Sequence, residues 1–250
     1  MVVVWIDINL HYHTHEENTR KIKMEIKLIN SDYKELVKKM MDENIKVDLL
    51  LTDPPYGVSR SHQLGFSNMG RSGMDYGDWD YGFDQKEWIR ICAPLVNNGG
   101  SIVIFNDWKN MSHVVEELES NGFIIKDLLR WEKTNPMPRN VQSRYVMDIE
   151  VAVWAVKGKK RWVFNKPQDI PYLRPAFRAG LVLGKKRTHP TQKQSSVLEE
   201  IISIHSNKGD LVFDPFFGSG STAQACKKLG RNFVGSEIEE KYYKKAMKMI

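Results

Sequence analysis

Short apolar runs alternate with amphipathic segments over most of the chain, and this alternation limits the possible folds more than any other feature. Apolar runs of strand length, separated by segments of helical periodicity, are typical of an α/β protein. The sequence therefore predicts a doubly wound, mostly parallel sheet with helices on its faces. The predicted strands span residues 25–29, 47–51, 101–105, 124–131, 150–156, 211–213 and 232–235. The predicted helices span residues 31–43, 85–95, 110–120, 195–205, 221–229 and 239–247, with Ser31 and Ser221 as N-caps.

Composition excludes several broad classes of protein. With 250 residues, 41% of them hydrophobic, the chain can bury a sizeable core. No apolar stretch approaches the roughly 18 residues that cross a bilayer, and the polar residues after the apolar N-terminus do not fit a secretion signal. Cys92 and Cys226 are too few for a disulfide framework, and no acidic or cysteine residue stands at a convincing metal-ligand spacing from His11, His13 and His15. We expect a soluble, cytoplasmic protein without a metal site or a membrane partner.

Charge is distributed unevenly along the chain. The net charge is +6, yet residues 130–190 hold 14 Lys and Arg against four acidic residues, so the remainder is net negative. A basic stretch on an acidic body indicates a polyanionic partner such as nucleic acid, although a solvated basic face gives the same pattern.

Three segments interrupt the alternation of strands and helices. Residues 1–23 are expected to form an N-terminal extension outside a domain of residues 24–250. Residues 57–84 are glycine-rich, which predicts a long mobile loop. Residues 157–187 are basic and weakly periodic, which suits an inserted recognition region.

The tetrapeptide Asp53-Pro54-Pro55-Tyr56 directly follows the predicted strand 47–51. An acid at the carboxyl end of a parallel strand lies where α/β folds bind ligands. The two prolines fix the backbone and remove two N–H donors, so that rigid carbonyls are expected to face outward unpaired. A carboxylate, a carbonyl and an aromatic ring together suit a flat base with an exocyclic amino group. A simple sharp turn after a strand is the alternative.

A second motif, DPFFGSGST, covers residues 214–222 and combines a strand end, a glycine-rich turn and a helix start. Gly218 and Gly220 permit a tight turn and close backbone approach to a ligand. Glu237 ends the next predicted strand and is placed to accept hydrogen bonds from ribose hydroxyls. The spacing Gly218-x-Gly220-x-x-Ala223 also fits a dinucleotide fingerprint, so an NAD-type oxidoreductase is a competing interpretation.

A third motif, THPTQK, closes the basic stretch at residues 188–193 just before a predicted helix. A cation and hydroxyls at a helix N-terminus can hold a carboxylate. An ordinary turn into the helix is the alternative.

Together the three motifs resemble the β-class of DNA amino-methyltransferases, from about Met24 to the C-terminus. The segments APLVNNGGSIVIF, RWEKTNPMPRN and RYVMDIEVAVWAVKG add to this resemblance. It implies a Rossmann-like methyltransferase fold that is circularly permuted, because the catalytic tetrapeptide precedes the cofactor motif. Gln194 stands where the family usually has proline, and Ser221 where threonine is common.

The resemblance implies roles for the matching positions. The Asp53 carboxylate and the Pro54 carbonyl would bind the target amino group, and Tyr56 would stack on the base beside Pro55. The cofactor would be S-adenosylmethionine, with its adenine near Asp32, its ribose on Glu237 and its carboxylate near Thr191 and Lys193. Its methionine half would lie against Asp214, Phe216, Gly218, Gly220, Ser221 and Thr222.

The substrate implied is a flipped-out adenine in a short DNA site, methylated at N6, with cytosine N4 as the alternative. A DNA-binding module with an inactive cofactor pocket is a further, non-catalytic alternative. Neither cysteine follows a proline, which disfavours methylation of cytosine at carbon. Possible partners are a second copy of the chain and a separately encoded restriction endonuclease. The expected DNA-contacting residues, by phosphate binding or guanine recognition, are Lys159, Lys160, Arg161, Arg174, Arg178, Lys185, Lys186 and Arg187.

Overall fold

The computed structural model describes residues 2–10, 22–56, 83–138, 141–181 and 193–250, the first nine and residues 22 and 23 by their backbone alone. In these residues nine strands form one sheet. The strands are β1 (Val2–Leu10), β2 (Ile22–Asn30), β3 (Val47–Thr52), β4 (Val96–Asn106), β5 (Phe123–Lys133), β6 (Ile149–Lys157), β7 (Ala176–Ala179), β8 (Leu211–Asp214) and β9 (Asn232–Glu237). The α-helices are α1 (Tyr33–Asp42), α2 (Gln85–Cys92), α3 (Met111–Ser120), α4 (Ser195–His205), α5 (Ser221–Leu229) and α6 (Glu240–Met247). Short 3₁₀ turns cover Ala93–Leu95 and Trp108–Asn110.

The strand order is β1-β2-β9-β8-β3-β4-β6-β5-β7. Five strands run parallel to one another, namely β2, β9, β8, β3 and β4, so they all end at one edge of the sheet, which we call the carboxyl edge. Strand β6 is antiparallel to β4 and β5 and therefore begins at the carboxyl edge. Strand β7 runs parallel to β5, and β1 runs antiparallel to β2.

Apolar side chains of the central strands point alternately to two helical layers. Leu49 and Leu51 of β3 belong to a core shared with α4, α5 and α6. Leu50 between them belongs to a second core, shared with α1, α2 and α3. Helices on both faces of a mostly parallel sheet confirm the predicted doubly wound α/β class. Among the described residues no helix is both long enough and apolar enough to cross a membrane.

All the predicted strands and helices occur, α4 and α5 with the predicted bounds and the others with shifted bounds, and two strands were not predicted. Strand β1 lies in the segment expected outside the fold, but Val2–Leu10 pairs along its whole length with β2. Strand β7 has the sequence AFRA, in which Arg178 interrupts the apolar residues, so it gives no apolar run, and it pairs with β5 along its whole length. Residues 11–21, residues 57–82 of the predicted loop and residues 182–192 of the basic stretch lie outside the described residues.

Both predicted N-caps are wrong by one position. Asp32, not Ser31, caps α1, because its extended backbone lets its carboxylate accept a hydrogen bond from the Lys34 N–H at 2.7 Å. Gly220, not Ser221, precedes α5, with a φ of 81° that favours glycine. A Cβ atom at Gly220 would lie 2.8 Å from the Cβ of Ala246 on α6, so this glycine is also required for helix packing.

Candidate active site

Four acidic residues lie at the carboxyl ends of four adjacent parallel strands. Asp32 follows β2, Glu237 ends β9, Asp214 ends β8 and Asp53 follows β3. The register places Asn30 beside Glu237 and Asp214 beside Gly235. Acids from distant parts of the sequence are therefore brought to one edge, where ligands of open α/β sheets bind.

Asp53 is held by two side chains. The Tyr56 hydroxyl donates to its Oδ1 at 2.5 Å, and the Nζ of Lys193 lies 2.7 Å from its Oδ2. Burial raises the pKa of the Asp53 carboxyl, while the charge of Lys193 opposes this rise. The side chain is 21% exposed, and both of its carboxylate oxygens have a partner in the structure.

Polar side chains around the tetrapeptide fix its backbone, and sequence reasoning missed them. The Pro55 carbonyl accepts from Nε2 of Gln85 at 2.6 Å, and the Tyr56 carbonyl accepts from Nδ2 of Asn110 at 2.8 Å. The Pro55 carbonyl was expected to be unpaired, and that expectation is wrong. No described residue donates to the Pro54 carbonyl, which is the carbonyl that the family resemblance assigns to the target.

Two asparagines and a glutamine link this support to β4. Asn106, the last residue of β4, donates to Oε1 of Gln85 at 2.7 Å and accepts from Asn110 at 2.9 Å. The network ties the tetrapeptide to the end of a neighbouring strand. In the sequence, the only signals for this network were Asn106 directly after the predicted strand 101–105 and Gln85 at the start of the predicted helix 85–95.

Lys193 lies between the tetrapeptide and β6. Its side chain is 6% exposed, and its Nζ lies 2.7 Å from both Asp53 and Glu150 and donates to the Tyr56 hydroxyl at 3.2 Å. Burial lowers the pKa of Lys193, but the two carboxylates outweigh burial and hold the pKa well above its ordinary value. The proposed contact of Lys193 with a cofactor carboxylate stays a prediction, and Thr191 lies outside the described residues.

Asp214 is buried and fully engaged by donors. Thr52 donates to its Oδ1 at 2.7 Å, Thr222 to its Oδ2 at 2.8 Å, and the Phe216 N–H to its Oδ1 at 3.1 Å. Burial raises the pKa of Asp214 to about 6, against the opposing effect of these hydrogen bonds. The carboxylate therefore fixes the start of the glycine-rich turn.

Glu237 reaches the same turn from β9. Its Oε2 accepts from the Gly218 N–H at 3.0 Å, and its Oε1 accepts from the Glu239 N–H at 2.7 Å. Burial raises the pKa of Glu237 to about 7. Asn30 of β2 donates to the Glu237 carbonyl at 2.7 Å, which joins the ends of β2 and β9.

The aromatic ring of Phe216 is fixed by three other rings. Tyr33 lies 5.0 Å away between ring centroids, and Phe83 and Trp88 each lie 5.5 Å away. Together they form an aromatic wall beside the glycine-rich turn. Asp32, next to Tyr33, uses its carboxylate to cap α1, so a contact with a cofactor adenine stays a prediction.

One pocket, open to solvent, joins the tetrapeptide to the glycine-rich motif. Its lining residues are Leu51, Thr52, Asp53, Phe105, Lys193, Leu198, Asp214, Phe216, Phe217, Gly218, Ser219, Ser221 and Thr222. The structure thus brings together residues that sequence analysis assigned to base binding and to cofactor binding.

The basic residues expected to contact DNA separate into two groups. Lys159, Lys160 and Arg161 follow the end of β6, and the Arg161 backbone lies beside Gly99 at the start of β4. They are not brought to the carboxyl edge, because β6 runs antiparallel to β4 and ends at the opposite edge.

Arg178 belongs to the other group, because it pairs in register with Glu132 near the end of β5. Arg174 precedes β7 and lies 5.8 Å from the ring of Tyr172. Lys185, Lys186 and Arg187 lie outside the described residues, as do the three histidines at positions 11, 13 and 15.

We predict that Thr222→Val destabilises the protein in a pH-dependent way. It removes one donor to Asp214, so the free energy of unfolding should fall by about 1–3 kcal/mol at pH 8. The folded pKa of Asp214 exceeds its unfolded value, so ionisation costs stability as the pH rises through about 6. The loss should therefore be smaller at pH 5, where Asp214 is protonated. Urea unfolding at both pH values measures this, with the exposed Thr134→Val as control. An equal loss at both pH values would contradict the prediction.

Comparisons with known proteins agree with this geometry. A family model described as DNA methylase matches residues 47–248. The Type II methyltransferase M2.DpnII of Streptococcus pneumoniae is 34% identical over 243 residues, covering 89% of this chain and 88% of the relative. The Type II methyltransferase M.HinfI of Haemophilus influenzae is 31% identical, covering 89% of this chain and 67% of the relative.

Solved structures give the same result. The M1.HpyAVI–SAM complex has a TM-score of 0.74 and 44% sequence identity, covering 88% of this chain and 97% of that chain. The cytosine-N4-specific PvuII DNA methyltransferase has a TM-score of 0.65 at 16% identity, covering 88% of this chain and 84% of that chain. At this identity the likeness is one of fold alone. The family match over most of the chain, together with the pocket that joins its two motifs, establishes that the chain belongs to the DNA methylase family of N6 and N4 amino-methyltransferases.

Proposed function

We propose that this enzyme transfers a methyl group from S-adenosylmethionine to N6 of a flipped-out adenine in a specific DNA site. The observation that carries the proposal is the single pocket lined by Asp53 and by the glycine-rich motif. A cofactor seated on that motif would have its methyl group directed toward a base held at Asp53. The relative M1.HpyAVI, which shares 44% of its sequence with this chain, was solved as a complex with SAM and supports this choice of cofactor.

Hydrogen-bonding groups in the pocket and next to it match the two ends of the cofactor. Glu237 lies at the end of β9, where its carboxylate can accept from ribose hydroxyls. The methionine half would lie along Phe216, Gly218 and Gly220, with Asp214, Ser221 and Thr222 supporting the turn. The match to the DNA methylase family, and not the glycine spacing, favours S-adenosylmethionine over NAD.

The chemical step is a direct displacement at the sulfonium methyl group. The exocyclic amine of adenine is a poor nucleophile, because its lone pair is delocalised into the ring. If Asp53 and the Pro54 carbonyl each accept one amine hydrogen, the lone pair is directed at the methyl carbon. Alignment of this kind lowers a barrier by up to roughly 7–11 kcal/mol. As the N–C bond forms, the bond from the methyl carbon to sulfur breaks and S-adenosylhomocysteine is the leaving group. The nitrogen gains positive charge, which the Asp53 carboxylate stabilises until the extra amine proton is released to solvent.

Adenine N6 is favoured over cytosine N4 by the acid at position 53. In the β-class of DNA amino-methyltransferases, members with Asp before Pro-Pro-Tyr more often modify adenine, whereas members with serine at this position more often modify cytosine N4. Asp53 lines the pocket, where its carboxylate can accept from an amine donor. Cytosine N4 is the second candidate.

DNA is proposed to approach the carboxyl edge of the sheet, where the base would enter. The connection between β5 and β6 lies at this edge and carries Arg144 and the 97% exposed Tyr145. Arg178, which is 80% exposed, lies on the neighbouring β7. These arginines are placed for phosphate contacts that offset the few kcal/mol of base flipping.

The relatives named as Type II methyltransferases support a role in restriction-modification. We propose that the enzyme works in the cytoplasm beside a separately encoded endonuclease and forms a homodimer on its site.

We predict that Asp53→Ala reduces methyl transfer by more than about 10³-fold, because alignment and charge stabilisation are both lost. Binding of S-adenosylhomocysteine should change by less than about threefold. Transfer of labelled methyl groups to genomic DNA and isothermal calorimetry measure the two effects. Asp127→Asn, on the exposed face of β5, is the control. Activity within tenfold of wild type in the Asp53 variant would overturn the catalytic assignment.

We predict that affinity for S-adenosylhomocysteine falls as the pH drops below about 7. The ionised form of Glu237 accepts ribose hydroxyls, and its pKa of about 7 leaves it mostly protonated at pH 6. The dissociation constant should therefore rise by about tenfold between pH 8 and pH 6. Because this folded pKa lies above the unfolded value, the free protein loses stability over the same rise in pH in which affinity increases. Glu237→Gln should bind more weakly and without this pH dependence, and an unchanged pH dependence in that variant would contradict the assignment.

We predict that Arg144→Ala combined with Arg178→Ala lowers the salt dependence of DNA binding by roughly two phosphate contacts. The triple change of Lys159, Lys160 and Arg161 to Ala is the matched control, because these residues lie at the opposite edge of the sheet. It should leave affinity and salt slope unchanged. Fluorescence anisotropy with duplex DNA at several salt concentrations measures both. A loss confined to the triple variant would place the DNA on the other edge.

A further inference from the structure

We infer that Glu150 is a positioning residue for the reaction, acting on Asp53 through Lys193. Glu150 is the second residue of β6, which begins at the carboxyl edge. Sequence analysis gave it no role. The inference rests on the proposed methyl transfer and adds to it a residue that touches neither cofactor nor base.

Four charges alternate in a row at this edge. Lys133 Nζ lies 3.0 Å from Oε1 of Glu150, and Lys193 Nζ lies 2.7 Å from Oε2 of Glu150 and 2.7 Å from Oδ2 of Asp53. The side chains of Lys133 and Lys193 are 13% and 6% exposed. Such well-shielded charges interact strongly, because little water screens them.

The ammonium group of Lys193 lies 2.7 Å from both the Asp53 and the Glu150 carboxylates, and this double pairing serves the proposed reaction. Asp53 must accept a hydrogen from the target amine, while Lys193 occupies its Oδ2 in the structure. When the base binds, Lys193 can move toward Glu150 and remain paired. Without Glu150, Lys193 would have to leave its one carboxylate partner, and breaking a buried pair in that way is strongly unfavourable.

Other groups around Lys193 cannot substitute for Glu150. The Tyr56 hydroxyl lies 3.2 Å away, but it already donates to Asp53. The rings of Phe105 and Tyr56 also lie near Nζ, with centroids 5.1 and 5.7 Å away, but neither carries a negative charge. Among the described residues, Asp53 and Glu150 are the carboxylates within 4 Å of this ammonium group. The groups that set the charge of Lys193 are thus Asp53, Tyr56 and Glu150, with Lys133 acting on Glu150.

The test is Glu150→Gln in the full chain, assayed with S-adenosylmethionine and target DNA. We expect the single-turnover rate to fall by about tenfold or more, with the dissociation constant of S-adenosylhomocysteine within about twofold of wild type. Loss of one carboxylate also makes Lys193 easier to deprotonate, so the alkaline limb of the rate–pH profile should move to lower pH. A merely structural role would leave the shape of that profile unchanged.

Glu116→Gln is the matched control, because Glu116 pairs with a lysine, Lys86, at 2.9 Å and does not contact Lys193. Its rate and pH profile should equal those of wild type. A Glu150→Gln enzyme with the wild-type rate and profile would overturn the inference. A fall in rate with an unchanged profile would also overturn it.

Glu150→Asp keeps the charge and shortens the side chain, so it tests the inference about Glu150 if the Glu150→Gln variant does not fold. We expect it to bind S-adenosylhomocysteine normally and to react at an intermediate rate, with the alkaline limb of wild type. A wild-type rate in this variant, or loss of cofactor binding, would overturn the inference. Absence of transfer by the wild-type enzyme to any DNA would instead contradict the proposed function.

Discussion

Parallel pairing of β2, β9, β8 and β3 is the constraint on which the rest of the site depends. It brings Asp32, Asp53, Asp214 and Glu237 to one edge, although Asp32 and Glu237 are 205 positions apart in the sequence. Close approach of β8 and β9 requires Gly235, because a Cβ atom there would lie 2.5 Å from the Asp214 carbonyl oxygen. A shift in this pairing would move an acid and its ligand-binding turn together.

Burial of charge is the second theme of the site. Desolvation raises the pKa values of Asp53, Asp214 and Glu237, and each carboxylate is compensated in a different way. Hydroxyl and backbone donors serve Asp214, backbone donors serve Glu237, and an ammonium group shared with Glu150 serves Asp53. The first two arrangements are fixed. The third can rearrange, which suits the one acid that must exchange partners during a reaction.

Local sequence patterns predicted the alternating strands and helices and the three motifs. These predictions succeeded because strand ends, glycine turns and helix starts depend on neighbouring residues. The patterns failed for β7, because Arg178 interrupts its apolar residues and no apolar run marks the strand that pairs with β5. They also failed for the N-cap of α1, where two adjacent polar residues compete and backbone geometry selects Asp32.

The sequence by itself determined the fold class, the acid-bearing motifs and the family, because these depend on residue types in a fixed order. Only the tertiary structure decided which charges share a site. It places Lys159, Lys160 and Arg161 at the edge opposite the carboxyl edge, because the direction of β6 is set by its antiparallel pairing with β4. It also placed Glu150 against Lys193, two residues 43 positions apart in the printed sequence. Strand direction and long-range ion pairs depend on how distant segments pack, and no local pattern records that.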